Sequence, residues 1–186
     1  MIEDRIFKRV NFDTEKLTSD EYENCTFIGC SFSQHSISTI TFRECEFNEC
    51  NFNTTLFDNT VLNDVSFVNC KLLGIDFSTC DDLLLTLNFK GCNLSFTSFY
   101  KLKLKGTIFN NSNLQDADFT QAELRNAVFD NCNLKGTVFN QTNLEQADFR
   151  TAKNYTMDPE NNKLTKARFS YSGLIGLLGK YSIDVE

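Results

Sequence analysis

The side chains with the widest chemical repertoire in this 186-residue sequence are eight cysteines, one histidine and 25 acidic residues, set against 18 Lys and Arg. Thiolates bind zinc, close disulfides or attack electrophilic carbon, and each task has a characteristic spacing or partner. Cys25, Cys30, Cys45, Cys50, Cys70, Cys80, Cys92 and Cys132 show none of these: no C-x-x-C occurs, and their separations are multiples of five except across one interruption. Each stands two residues before a recurring central place, where Ala or Thr stands elsewhere. They read as small buried fillers without ligand or redox duty. His35 takes the same place before Ile37 and reads as an inward residue, neither base nor ligand. No carboxylate pair has a nucleophile or base organised around it and no glycine-rich phosphate loop appears, so no enzyme, metal or cofactor is expected.

The period that places the cysteines is clearest from Asn113 to Arg150. Leu114, Phe119, Leu124, Phe129, Leu134, Phe139, Leu144 and Phe149 fall on every fifth residue, each preceded two places earlier by a small one. Neither a helix of period 3.6 nor a strand of period 2 keeps such a pattern on one face, so the five-residue block is itself the unit. Five residues bury almost nothing alone, and stability must come from stacking. Each inward Leu or Phe then contributes roughly 1.5–3 kcal/mol by leaving water. The sequence resembles the pentapeptide-repeat family, whose pattern is A(D/N)LXX. That resemblance implies an all-β fold, a right-handed quadrilateral parallel β-helix in which four blocks make one turn.

The same places run back through Phe77, Leu72, Phe67, Leu62, Phe57, Phe52, Phe47, Phe42, Ile37, Phe32, Phe27, Tyr22, Leu17, Phe12 and Phe7. Val10, Glu15 and Asp20 at small-residue places make the first coil irregular. Between Phe77 and Phe89 the phase slips by two residues, which predicts a bulge within 80–88. Leu83, Leu84 and Leu85 cannot all point inward there; they either fold back over the coil or meet a partner. Residues 153–163 carry the only Pro and read as a loop leaving the stack, after which Leu164 and Phe169 resume the phase. The solenoid is expected to occupy 1–171, about nine coils in a rod some ~40 Å long. For 172–186 the pattern predicts a capping and dimerisation segment: a short α-helix with Ser172 as N-cap, then a strand from Tyr181 through Ile183 to Val185. Family members end in a helix that joins two subunits, which implies a homodimer through Leu174, Ile175, Leu177, Leu178 and Ile183.

No apolar run approaches the ~20 residues of a membrane span, and the N-terminus lacks a signal-peptide core, so a cytoplasmic protein is expected. The net charge of −7 argues against direct nucleic-acid binding. Acid is concentrated in residues 1–88, at −9, while residues 89–186 carry +2. Stacking at twenty residues gathers Glu21, Glu23, Glu44, Asp64, Asp81 and Asp82 on one side as an acidic stripe. Within the family, length, tail and acidic rod resemble the gyrase-interacting quinolone-resistance and microcin-immunity group. The resemblance implies a DNA-mimicking protein that binds DNA gyrase or topoisomerase IV and modulates it or protects it from quinolones or peptide toxins. The alternative is a scaffold or regulatory module with another protein partner, using the bulge or the loop. Neither role takes a small-molecule substrate or a membrane.

Overall fold

The computed structural model describes residues 1–33, 36–181 and 183. At almost every fifth place the large side chain turns into a common interior. Two residues later the backbone enters the left-handed region, as at Asn24, Asn69, Asn111 and Asn131, and the chain turns a corner. Asn, Asp and Gly tolerate that conformation best. Four such sides return the chain above its start, and N–H groups reach both neighbouring coils: Glu123 donates to the Leu102 carbonyl at 2.9 Å and Leu124 to that of Asn143 at 2.7 Å. The result is a four-sided parallel β-solenoid of about eight turns, with nine strand levels on its longest face.

Face 1 begins with the strands Ile2–Glu3, Glu21–Glu23, Thr41–Arg43 and Val61–Asn63 and continues as bridges from Lys103 through Glu123 and Asn143 to Lys163. Face 2 is a nine-stranded parallel sheet from Ile6–Lys8 to Arg168–Phe169. Faces 3 and 4, centred on Phe32 and Phe57 among others, are held mostly by single bridges. Inside face 2 the rings of Phe89, Phe109, Phe129 and Phe149 stack at 4.7–5.3 Å, within 14° of parallel, and meet the face 4 rings edge-on. Both geometries suit the aromatic quadrupole and add about 0.5–1.5 kcal/mol per pair beyond burial.

The expected two-residue slip is present. Register is twenty at Val61 to Asp81 but twenty-two at Val65 to Leu87 and Phe67 to Phe89. Leu83 and Leu84 are 81% and 54% exposed, whereas Leu85 is buried at 9%. The bulge therefore offers two leucines, not three, because the third turns into the interior at this coil.

Residues 153–163 do not leave the stack. Lys153 bridges Asn133 and Lys163 bridges Asn143, each twenty residues away, so nothing is inserted. Tyr155, next to the failed central place Asn154, is buried in its stead, and Met157 keeps the inward place two residues before Pro159. At the other end the first coil is imperfect as expected: Phe12 is buried, Leu17 only half-buried, and Glu15 and Asp20 exposed.

Among the described residues of the tail there is no α-helix. Ser172–Leu177 and Gly179–Tyr181 are 3-10 helices; Ser172 lies inside the first, and Tyr171 precedes it without a side-chain cap. Glycine at 173, 176 and 179 matches the three-residue turn, and a Cβ on Gly173 or Gly176 would collide with Tyr155. Close approach to the last coil thus selects the tighter helix. Tyr181 closes the second 3-10 turn instead of opening a strand. Val185 and the inward place expected for His35 lie outside the described residues.

Candidate functional site

Three surfaces break the regularity of the rod: an acidic corner, the bulge and the tail. Glu44 and Asp64 stand in one column with Asp4 and Asn24, all left-handed, at the corner between faces 1 and 2. Glu44 N–H donates to the Asn63 carbonyl at 2.9 Å, and the backbones at Glu44 and Asp64 are one coil spacing of ~4.8 Å apart. Glu21 and Asp81 share another column, with Thr41 and Val61 between them. Glu23 belongs to a third, which Glu3 heads and Arg43 and Asn63 continue. The stripe is therefore three short columns, with Asp82 outside them. Two members are paired: Glu21 with Arg43, and Asp82 with Lys103 at 3.1 Å. Such exposed pairs contribute little to stability but lower the charge a partner meets.

Leu83 and Leu84 stand on face 1 where acidic coils give way to Lys103 and Lys105. Asn63 Nδ2 donates to the Leu84 carbonyl at 3.0 Å, and Leu83 N–H donates to Asp81 Oδ1 at 2.9 Å, so the bulge has a fixed shape.

The tail carries the dimer residues expected from sequence. Leu174, Ile175 and Ile183 are 42%, 57% and 54% exposed, and Leu177 and Leu178 are half-buried, Leu177 against the core. Tyr171 and Tyr181 extend the apolar surface. A latch absent from the sequence reading holds the tail. Lys180 Nζ lies 2.7 Å from both Asp158 Oδ1 and Glu160 Oε2, Tyr181 donates to Glu160 at 3.1 Å, and Met157 N–H donates to the Gly176 carbonyl at 3.0 Å. Hydrogen bonding to Lys180 holds both carboxyls below their ordinary range. The Tyr155 hydroxyl, shut beneath Gly173, is the one buried side-chain polar atom without a partner among the described residues, and burial raises its pKa.

The eight thiols are buried and unpaired. Burial pushes Cys45 and Cys80 up to about 12 and Cys132 up to about 11, so the nucleophilic thiolate is suppressed at these three, while hydrogen bonds from neighbouring cysteines shift Cys50 and Cys92 down. Cys132 donates to the Phe109 carbonyl and Cys70 to that of Phe47, the work of a filler that satisfies its own weak donor. Among the described residues no group of three or more His, Cys, Asp or Glu could hold a metal ion, and no helix is long and apolar enough to cross a membrane.

A sequence profile of the pentapeptide repeat region matches residues 20–99, 40–119, 82–152 and 106–177, which together span most of the chain. The chain belongs to the pentapeptide-repeat family. Among solved structures it is similar to a trypsin-treated form of QnrB1, a plasmid-mediated fluoroquinolone resistance protein, at 18% identity over 99% of both chains with a TM-score of 0.50. Full-length QnrB1 gives 17% identity over 97% of this chain and 99% of that one, also at 0.50. At such identity the likeness is one of fold. No curated protein sequence matches. As a pentapeptide-repeat protein the chain spends its central side chains on the interior, and its outward residues are left to vary.

Proposed function

We propose that this pentapeptide-repeat protein is a non-enzymatic, cytoplasmic DNA mimic that binds DNA gyrase or topoisomerase IV and modulates it or protects it from quinolones or peptide toxins. The observation that carries the reading is the corner column Asp4, Asn24, Glu44 and Asp64, which sets carboxylates on successive coils at Glu44 and Asp64 and two coils earlier at Asp4 along a narrow rod. Duplex DNA presents a charge every ~1.7 Å over both strands, so the column is a sparser version of the same pattern. Its partner surface is a basic DNA-binding saddle, with Glu23 and Asp81 adding charge and Arg43 and Lys103 reducing it at Glu21 and Asp82. Electrostatic steering makes the association rate fall with salt. The tail residues Leu174, Ile175, Leu177, Leu178 and Ile183 join two copies end to end.

The test is DNA supercoiling by both enzymes across a titration of the protein, with and without a quinolone and a peptide poison. Protection or inhibition that Glu44→Lys with Asp64→Lys abolishes supports the reading. No response from either enzyme at any concentration overturns it. A second reading, a scaffold for another protein, draws on Leu83 and Leu84, apolar residues open to solvent on a fixed bulge. Replacing both with serine separates the two, since the mimic would keep its effect on supercoiling and the scaffold would lose its partner.

A further inference from the structure

Eighteen of the nineteen phenylalanines occupy central places, and Phe96 is the exception. It stands at the corner between faces 3 and 4, with φ of 59° and 60% of its surface open. Among the described residues, the other non-glycine residues with positive φ are polar or charged, so Phe96 is the one apolar side chain in that set. A bulky side chain is disfavoured in that conformation, and here it buries little in return.

Its surroundings form an apolar corner. Gly74 holds the same corner one coil earlier, donating its N–H to the Ser95 carbonyl at 2.9 Å; a Cβ there would meet nothing within 4 Å. Leu73, just before Gly74, is 38% exposed, and Leu56, just past the corner on the coil before that, is 57% exposed. Leu56, Leu73 and Phe96 thus lie on three successive coils at about 4.8 Å per coil, beside the open place at Gly74. Around them stand the carboxylates of Asp58, Asp76 and Asp116, all exposed, and Asp118. Three cations flank the corner: Lys71 at the far edge of face 3, Lys101 over the Tyr100 ring, 4.9 Å from its centre, at the far corner of face 4, and Lys135 one coil beyond Asp116, whose N–H donates to the Lys135 carbonyl at 2.9 Å. Asp58, Asp76 and Asp118 therefore carry most of the charge beside Phe96.

We propose that this corner docks a basic segment of another protein, which places an apolar side chain beside Phe96 and cations over the surrounding aspartates. Charge selects that occupant. Nucleic acid and anionic membrane would be repelled, and a second copy would set these aspartates against themselves. The site is diagonally across the rod from Glu44 and Asp64 and does not rest on the gyrase reading.

The probe is a fluorescein-labelled seven-residue peptide of alternating lysine and leucine, followed by fluorescence anisotropy, with an all-lysine peptide of equal length as comparison. Wild-type protein is expected to bind the alternating peptide at least tenfold more tightly than the all-lysine one. Phe96→Asn, which suits the left-handed corner, should lose that preference while melting no lower than wild type. Glu44→Gln with Asp64→Asn should bind as wild type does. The proposal is overturned by equal affinity for the two peptides, by unchanged binding in Phe96→Asn, by a lowered melting point in that variant, or by equal loss in the face 1 variant.

Discussion

Tyr155 fills the interior where Asn154 fails to, and the exchange leaves a phenol hydroxyl with no partner. A buried donor left unmade costs about 1–3 kcal/mol, so Tyr155→Phe should raise unfolding free energy by a comparable amount. A lower midpoint in denaturant melts would show that the hydroxyl is engaged. Phe129, fully buried between the parallel rings of Phe109 and Phe149, marks the opposite extreme. Phe129→Ala removes a whole ring from a stack that cannot collapse around the gap, and about 3–5 kcal/mol of stability should go with it, read in the same melts. The thiols give a third check. Because all eight thiols are buried out of a reagent's reach, a chromogenic disulfide reagent at pH 8 should label none of them until the fold is unfolded, whatever their individual acidity. The cysteine places were legible because they share the register of Ala and Thr. Tyr155 was not, since it lies off the fivefold count and is drawn in because Asn154 cannot serve; Met157 keeps the inward place of Ala147 and Ala152, and only its size departs from theirs.

At the scale of elements, legibility follows whether a segment obeys the period. The slip before Phe89 was countable, and the structure places two extra residues there. Which leucine turned inward was not countable, because three identical side chains carry no phase. The tail was misread for a different reason: four apolar residues in five suggested an α-helix, while the controlling signal was glycine at every third residue, set by contact with Tyr155. Its latch predicts a pH dependence. Asp158 and Glu160 are held below their ordinary carboxyl values of 3.8 and 4.5 by hydrogen bonding to Lys180. Groups depressed by folding stabilise the docked tail above those values and lose that contribution as pH falls through the lowered ones. Hydrogen exchange at Leu177 and Leu178 should therefore quicken, relative to its intrinsic rate, as pH falls below the ordinary carboxyl range, and Lys180→Ala should remove the dependence. Exchange with the same acid profile in that variant would assign the docking to Tyr155 and Met157 alone.

For the whole molecule, the stack behaves as a rod whose two ends differ. The N-terminal end leaves Ile2 and Phe7 partly open, while the C-terminal end is covered by a tail whose own outer surface is apolar. Tyr171, Ile175 and Ile183 gain nothing from facing water, and a contact between two copies at that end removes them from it. An end-to-end arrangement about a two-fold axis makes particular demands on the measurement. Eight coils at ~4.8 Å give a monomer about 40 Å long, so the dimer should be near twice that length at unchanged width. Small-angle scattering and sedimentation at micromolar protein read length and mass together. Wild type should show doubled mass with doubled length, and Ile175→Asp with Leu174→Asp should return both to the monomer without lowering the thermal midpoint of the solenoid. Doubled mass with unchanged length would instead place the contact along a face. The distinction bears on function, because only the end-to-end form sets two acidic columns apart at opposite tips, with the +2 half of each chain at the centre. A target with two basic surfaces separated by about 80 Å would then engage both tips at once. If so, the monomeric variant should bind such a target at least tenfold more weakly with its acidic residues unchanged.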